Sequence, residues 1–442
     1  MRVYFRKTIE ETQAWFYSFN PWNVSCLTIS AVRQLRLQKL KTRLWCETIF
    51  SLWGHGPSMN ICLFTNTAFP DMGGQEMVVD ELARQYLQAG HQVWVYCPAH
   101  AEAAKWDSTS PYPVIRHPRH VSTRWLLSWY AWAFQRLIHR YSLDIVHCHN
   151  VYPSAYVALL ARKQGKPIVA VTSHGGDVRQ ENPRFDKPGL RRRHAWVIEQ
   201  ADALISISPF TTEGYWRLGA FPERIHQIPN GVHVSDLSTP VNRPDTLPST
   251  LQTGRFHLFL GRLAHRKGVD VLLHAISLLQ NQGQAPWSLA IGGDGPERDA
   301  LQQLAQKLGL QANTHFLGKV QGDTKRWLLQ NAACIIMPTR EWEALPMVLL
   351  EAHAAGCPVI ASDAPGLLGL VEEGVTGWVV PRDNHITLAE RIQFVQHLSH
   401  QQRQHVGLQG KQKSHQFNWP YIAQQHVSLF ERLLHMPRKQ AA

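Results

Sequence analysis

Short apolar segments and longer amphipathic segments alternate through most of this 442-residue chain, and this alternation limits the fold more than any other feature. It is the pattern of a parallel β-sheet with helices on both faces. The alternation stops at residues 232–253, a stretch rich in Pro, Ser, Thr and Asp, and then starts again. The sequence therefore predicts an α/β protein with two sheets joined by a linker.

We predict two Rossmann-like domains whose parallel sheets face each other across a cleft. The first spans residues 59–238 and the second 239–418. Residues 1–58 form an extension, and a C-terminal helix within 419–442 is expected to return to the first domain. The predicted strands are 61–66, 93–98, 145–149, 168–173, 204–208 and 226–229, then 257–261, 288–292, 315–318, 334–338, 359–363 and 378–381.

The net charge of +12 and the pI of about 9.5 favour anionic partners such as phosphorylated substrates, acidic lipid surfaces or nucleic acid. No nucleic-acid recognition motif is present, so we expect no nucleic-acid partner. The seven cysteines are scattered and odd in number, which is typical of a reducing compartment. No stretch approaches the ~20 apolar residues of a membrane span. We therefore expect a cytoplasmic protein, either soluble or peripheral on the inner membrane face.

The extension differs in composition from the rest of the chain. It carries basic residues and tryptophans but lacks the central apolar run of a signal peptide. A strand-like segment then begins abruptly at Met59. Our preferred interpretation is that Met59 is the natural start, and that residues 1–58 are an upstream translation or a poorly ordered extension. The alternative is a basic, tryptophan-bearing segment that rests on a membrane surface.

A nearly apolar helix between Pro346 and Gly356 carries one carboxylate, Glu351. A buried carboxylate is costly unless it is hydrogen-bonded, and the helix N-terminus is a natural anion site. Glu351 lies roughly 8 Å along the axis from that N-terminus, about the span from a diphosphate to its ribose hydroxyls. Glu343 precedes the helix, at the mouth of the same cleft. These features favour a nucleotide-sugar pocket; the alternative is a glutamate paired with a neighbouring arginine.

Several motifs occur in an order that resembles the family 4 retaining glycosyltransferases of the GT-B fold, from Met59 to about Leu434. They are 69–76 (FPDMGGQE), 144–149 (DIVHCH), 173–177 (SHGGD), 228–231 (IPNG), 261–268 (GRLAHRKG), 292–296 (GGDGP), Glu343 with Glu351, and 374–380 (GVTGWVV). The resemblance implies that the first domain binds an acceptor and that the second binds a nucleotide-diphosphate sugar.

The resemblance implies that Arg262 and Lys267 bind the leaving diphosphate. Fixed cations there stabilise the negative charge that develops on the diphosphate in the transition state. In other enzymes a metal ion has this role. The chain has no Asp-x-Asp motif at a strand end, so we expect no metal and no cofactor. Gly73 and Gly74 follow the first strand and let the backbone approach the phosphates, although a plain strand-to-helix turn is an alternative. Arg266 is expected to be a solvated charge.

By the same resemblance, Glu351 takes the two ribose hydroxyls and Glu343 faces the hydroxyls of the donor sugar. The backbone of Leu345, Pro346 and Met347 caps the sugar or phosphate.

Gly318 and Val320 belong to a loop that flanks the base in related enzymes. His174 ends a first-domain strand, and the resemblance places it near the anomeric centre of the donor; a structural histidine is the alternative. His147, Cys148 and His149 look like a metal cluster. We expect them to be structural, because consecutive strand residues point to opposite faces.

Basic and aromatic residues alternate at helical spacing over residues 116–141. They suit an anionic membrane surface, as in related enzymes with lipid-linked acceptors, or equally an ordinary helix with its aromatic face inward.

Two departures from the family pattern affect the predicted site. The loop after residue 337 is one residue longer than the commonest form and offers Glu341 as a rival acid, but only Glu343 has the family spacing to Glu351. Ala344 replaces the usual glycine.

The sequence thus predicts a metal-independent retaining glycosyltransferase of the hexosyltransferase type, with a glycan, glycolipid or small-molecule acceptor. The rival hypotheses are a GT-B-fold nucleotide-sugar epimerase and a nucleotide-sugar-binding partner subunit with little activity.

Overall fold

The computed structural model describes residues 57–70, 73–118, 124–179, 182–283, 287–367 and 369–436. The predicted extension, 1–58, lies almost entirely outside these residues. In the described part, no helix is both long enough and apolar enough to cross a membrane.

The first domain contains a seven-stranded parallel sheet with the order β3-β2-β1-β4-β5-β6-β7. Buried β-branched and apolar residues fill its central strands, as expected for a sheet covered on both faces. Its strands are β1 (Asn60–Phe64), β2 (Gln92–Pro98), β3 (Val114–His117), β4 (Ile145–Cys148), β5 (Ile168–Ser173), β6 (Ala203–Ser206) and β7 (Ile225–Gln227). Its helices are α1 (Gly74–Gln88), α2 (Ala103–Thr109), α3 (Arg124–Arg140), α4 (Tyr156–Ala161), α5 (Pro188–Gln200) and α6 (Pro209–Arg217).

The second domain repeats this plan with six parallel strands in the order β10-β9-β8-β11-β12-β13. A short helix, α7 (Val234–Ser238), lies in the predicted linker. The strands are β8 (Phe256–Leu260), β9 (Ser288–Gly292), β10 (Thr314–Gly318), β11 (Cys334–Met337), β12 (Val359–Ser362) and β13 (Gly377–Val380). The helices are α8 (Val269–Asn281), α9 (Arg298–Lys307), α10 (Gly322–Asn331), α11 (Met347–Ala355), α12 (His385–His397), α13 (His400–Ser414) and α14 (Trp419–His435).

The predicted fold class, two Rossmann-like domains with parallel sheets, is confirmed. One strand was missed: β3 is a four-residue edge strand whose residues are only half-buried, so it lacks the apolar run of the central strands. Treating residues 116–141 as one helical segment was wrong, because Arg116 belongs to β3 and the helix begins at Arg124. Residues 119–123 of that segment lie outside the described residues.

The last helix, α14, packs on the first domain. Its buried face, which includes Ile422 and Phe430, joins the core formed by β1 and α1. The chain crosses back beside the linker, where the Val232 N–H donates to the Phe417 carbonyl at 2.7 Å. Gly231 makes this crossing possible, since a Cβ there would lie 2.4 Å from the Trp419 ring. The C-terminal helix therefore ties the two domains together at the back of the cleft.

Four histidines, one of them on this helix, form a chain of neighbouring rings. The His147 and His149 rings are 4.3 Å apart, and His426 of α14 lies 5.0 Å from His147. The argument that consecutive strand residues point to opposite faces does not separate His147 from His149, because residues two apart on a strand share a face. His149 continues the cluster to His174. Among the described residues no His, Cys, Asp or Glu group could hold a metal ion.

Burial lowers the pKa of all four of these histidines: well below the ordinary range for His147 and His149, to about 4 for His174 and to about 3 for His426. An unfolded chain protonates histidine below about pH 6.5, so the unfolded state then binds more protons than the native state. Native stability should therefore fall as the pH drops from about 6.5 towards 4, by up to roughly 1.4 kcal/mol per pH unit for each histidine.

Urea unfolding at pH 7.5, 6 and 5 measures this dependence. The variant His426→Leu should show a shallower decline than the wild type, whereas His435→Leu, exposed at the end of the same helix, should match it. An identical slope in wild type and His426→Leu would contradict the prediction.

Candidate active site

The cleft lies where the strand order of each sheet reverses. In the first sheet this point falls between β1 and β4, and in the second between β8 and β11. Connections leave such neighbouring strands in opposite directions, which opens a crevice at their carboxyl ends. The cavity there measures about 1780 Å³ and is lined by both domains. It exceeds the roughly 300–1,000 Å³ of a usual small-molecule pocket.

The structure brings nearly all the predicted site residues to this cleft. Those that line it are Gly73, Gly74, His174, Arg262, Lys267, Val320, Glu343, Leu345, Pro346, Met347 and Glu351. Gly318 is not among the lining residues; its carbonyl instead accepts a hydrogen bond from the Gly293 N–H at 2.6 Å. Gly318 thus shapes the turn that leads to Val320. The rival acid Glu341 also lies outside the lining, is half-exposed and pairs with Arg179 at 3.8 Å.

On the first-domain wall, Gly73 precedes α1 and Gly74 is its first residue. Both glycines line the cleft, and the first N–H groups of a helix have no partner within the helix. A Cβ at Gly74 would lie 3.8 Å from the Met347 side chain, so α1 and α11 begin close together from opposite domains. Two helix N-termini with their positive dipole ends therefore face one space, which suits a polyanion such as a diphosphate.

His174 follows β5 and is held by a second histidine. Its Nε2 lies 3.1 Å from His149 Nδ1, and the two rings stack with an interplanar angle of 14°. Because burial lowers the pKa of His174 to about 4, its imidazole is neutral at neutral pH. A neutral ring can donate or accept one hydrogen bond at each nitrogen but adds no positive charge to the cleft.

The loops after β8 and β11 bring Lys267 and Glu343 into direct contact through Lys267 Nζ and Glu343 Oε1. Gly268 allows this approach. It has a φ of +66°, and a Cβ there would lie 2.0 Å from the Pro338 carbonyl oxygen. Arg262 lines the cleft on the same loop. The predicted cations and the predicted sugar-facing carboxylate therefore lie side by side.

The expectation that Arg266 is a solvated charge was wrong. Its Nη1 lies 3.3 Å from Glu343 Oε1, and its guanidinium lies over the Trp342 ring at 5.5 Å from the centroid. Arg266 is therefore a second cation on the Glu343 carboxylate.

Glu351 is 8% exposed and its Oε1 accepts a hydrogen bond from Lys325 Nζ at 2.7 Å. Its other oxygen, Oε2, is buried and has no hydrogen-bond partner among the described residues. The partner is thus a lysine rather than the arginine of the alternative interpretation. Lys325 lies on α10, and no sequence spacing relates it to Glu351. The pairing could therefore be recognised only from the folded structure.

An aromatic contact across the cleft was also missed. Phe210 of α6 stacks on Trp342 of the second domain, with centroids 5.5 Å apart and planes at 8°. Beside it, a Cβ at Gly175 would lie only 2.6 Å from the Ala344 Cβ. The residue that replaces the usual glycine thus abuts the chain next to His174. These contacts hold the Glu343 loop close to the first domain.

Family models match both domains in sequence order. The model of Glycosyltransferase Family 4 matches residues 72–236, and that of Glycosyl transferases group 1 matches residues 249–413.

Two mycobacterial relatives cover most of the chain. The chain is 26% identical over 382 residues to the phosphatidyl-myo-inositol mannosyltransferase of Mycobacterium leprae, covering 84% of this chain and 96% of that protein. It is 27% identical over 336 residues to the GDP-mannose-dependent alpha-(1-6)-phosphatidylinositol monomannoside mannosyltransferase of Mycolicibacterium smegmatis, covering 72% of this chain and 84% of that protein.

Among solved structures, Anabaena HepE in complex with UDP has a TM-score of 0.70 at 20% identity, and the match covers 85% of this chain and 100% of that one. At this identity the similarity shows the fold alone. This is the GT-B fold that the order of the sequence motifs led us to expect. The two family models and this architecture agree: the chain belongs to the family 4 glycosyltransferases of the GT-B fold.

Proposed function

We propose that the protein is a retaining, metal-independent hexosyltransferase that moves a sugar from a nucleotide-diphosphate sugar to an acceptor hydroxyl of a glycan, glycolipid or small molecule. The observation that carries this proposal concerns Glu351, which lines the cleft. Its Oε2 is buried and has no hydrogen-bond partner among the described residues. A buried acceptor of this kind calls for a donor, and the hydroxyls of a ribose supply one. The GDP-mannose and UDP named for a relative and for a neighbouring structure agree with such a ligand.

Each of these cleft residues has its own role in the proposed reaction. Arg262 and Lys267 hold the diphosphate with the N-termini of α1 and α11, while Leu345, Pro346 and Met347 cap it through their backbone. Glu343 orients the donor sugar, and neutral His174 lies on the anomeric side. Val320 and the turn at Gly318 flank the base.

In the proposed step, the bond between the anomeric carbon and the diphosphate oxygen breaks, and its electron pair leaves with the diphosphate. The acceptor oxygen bonds to the same face of the sugar and gives its proton to the departing phosphate oxygen. Fixed cations beside the diphosphate stabilise this charge more in the transition state than in the substrate.

A donor panel tests the proposal. Purified protein is incubated with UDP-, GDP- and ADP-sugars, with and without acceptors, in the presence of EDTA. We expect nucleoside diphosphate release that depends on an acceptor and persists in EDTA, with the anomeric configuration of the donor kept in the product by NMR. Interconversion of the free donor would instead support the epimerase, and binding without turnover would support the partner subunit; either result overturns the proposal.

The variants Glu343→Ala and Lys267→Ala should each lower kcat at least about a hundredfold, because each removes a fixed charge from the reacting region. Glu341→Ala is the matched control, since this neighbouring carboxylate is half-exposed outside the cleft and its loss should leave kcat within about twofold. Circular dichroism checks that the variants fold. Wild-type rates in the first two variants would refute the assignment of these residues.

We further propose that α3 rests on an anionic membrane surface. Its inner face, including Tyr130 and Phe134, is buried in the first-domain core, as the alternative of an ordinary helix requires. Its outer face nevertheless exposes Trp129 and Trp132 by about half, and Arg136 lies over the Trp132 ring at 5.0 Å. Exposed tryptophans beside basic groups suit the interface of an acidic bilayer.

A flotation assay with phosphatidylglycerol-containing liposomes checks this surface. The double variant Trp129→Ala/Trp132→Ala should lose most of its binding, whereas Trp216→Ala, which is similarly exposed on α6, should float like the wild type. Equal flotation of all three proteins, or none of the wild type, would contradict a role for α3.

A further inference from the structure

An aromatic pair lies on the first-domain side of the cleft, apart from the residues discussed so far. Phe69 and Trp106 stack with centroids 5.0 Å apart and planes at 14°, and both line the cleft. Trp106 remains 38% exposed although one of its faces is covered by Phe69. The uncovered part of the Trp106 indole is therefore a flat apolar surface that lines the cleft.

Arg116 holds this pair rigidly. Its Nε and Nη2 donate to the two carboxylate oxygens of Asp107, each at 2.8 Å, and Asp107 is the residue after Trp106. Nη2 also donates to the Phe69 carbonyl at 2.6 Å, and Nη1 to the Pro98 carbonyl at 2.9 Å. One guanidinium thus contacts the Phe69 backbone and the side chain of Asp107, next to Trp106, so little conformational entropy is lost when a ligand binds.

Carboxylates surround the aromatic pair. Glu76 and Asp80 on α1 line both the cleft and the small pocket beside Trp106. Asp80 accepts hydrogen bonds from Tyr112 and Arg84, and the charge of Asp107 is compensated by Arg116. Carboxylate oxygens accept hydrogen bonds from hydroxyl groups. The surroundings of Trp106 therefore favour a hydroxyl-rich ligand.

A sugar ring can both pack on an aromatic surface and donate hydrogen bonds to carboxylates. One face of the ring presents C–H groups, which pack on the electron-rich face of an indole, while its edge presents hydroxyls. Phe69 and Trp106 belong to the first domain, whereas the charged residues proposed to hold the donor, including Lys267 and Glu343, belong to the second. A ring on Trp106 consequently lies outside the donor site.

We propose that Trp106, backed by Phe69, binds a neutral sugar ring of the acceptor, with Glu76 and Asp80 beside its hydroxyls. This inference rests on the proposed function for the transfer itself, and it makes the acceptor a saccharide or a saccharide-bearing lipid. Trp106 is a specificity-determining residue and takes no part in the chemical step.

The test compares Trp106→Ala and Trp106→Phe with the wild type, and uses Trp216→Ala as the exposed-tryptophan control outside the cleft lining. Saturation-transfer NMR measures binding of neutral disaccharides (mannobiose, lactose and maltose) without donor, and UDP and GDP titrations measure the nucleotide site separately. Where transfer occurs, the KM for the acceptor is compared with the KM for the donor.

We expect Trp106→Ala to weaken disaccharide binding and raise the acceptor KM about tenfold or more, as is usual when a tryptophan at the centre of a contact is removed. Trp106→Phe should restore most of the affinity, and nucleotide binding should not change in any variant. Unchanged saccharide binding in Trp106→Ala, or no disaccharide binding by the wild type, would overturn the inference. A wild type that binds disaccharides through Trp106 but no nucleotide would refute the proposed function alone.

Discussion

The site depends on one topological constraint, the reversal of strand order between β8 and β11 and, across the cleft, between β1 and β4. Parallel neighbours whose connections leave to opposite faces cannot close their carboxyl-end crevice with their own loops. The segments that follow these strands must then line the crevice, and they carry Gly73, Lys267 and Glu343. The helices that begin there add unpaired N–H groups, so an anion site follows from the topology before any side chain is considered.

Paired charges keep the second-domain wall in place. Glu343 and Glu351 are both nearly buried, and each contacts a lysine, Lys267 or Lys325. A buried carboxylate without such a partner would destabilise the domain. A lysine ammonium has three donors and a carboxylate two acceptor oxygens, so each pair retains groups that can contact a ligand. In the proposed reaction, charges held in this way would need little rearrangement when the diphosphate departs, which is the condition for electrostatic catalysis.

Contacts between the domains hold the two walls of the cleft next to each other. The Phe210–Trp342 stack and the close approach of Gly175 to Ala344 join the Glu343 loop to the segment that carries His174. On the far side, α14 and the crossing at Val232 connect the same two domains. The Phe69–Trp106 pair of the first domain therefore lines the same cleft as the charged residues of the second. The departure from the family pattern at Ala344 is accommodated within this contact.

The sequence by itself determined most of the strands, the two parallel sheets and the positions of most cleft residues, because buried β-branched runs, glycine turns and helix ends are local signals. It did not reveal the half-buried edge strand β3, the pairing of Lys325 with Glu351, the contact of Arg266 with Glu343 or the convergence of His147, His149 and His426. These depend on which segments the fold brings together, and distances between residues far apart in sequence are set only when the sheets and helices pack. The tertiary structure thus decided which charges are paired and left Glu351 Oε2 buried without a hydrogen-bond partner among the described residues.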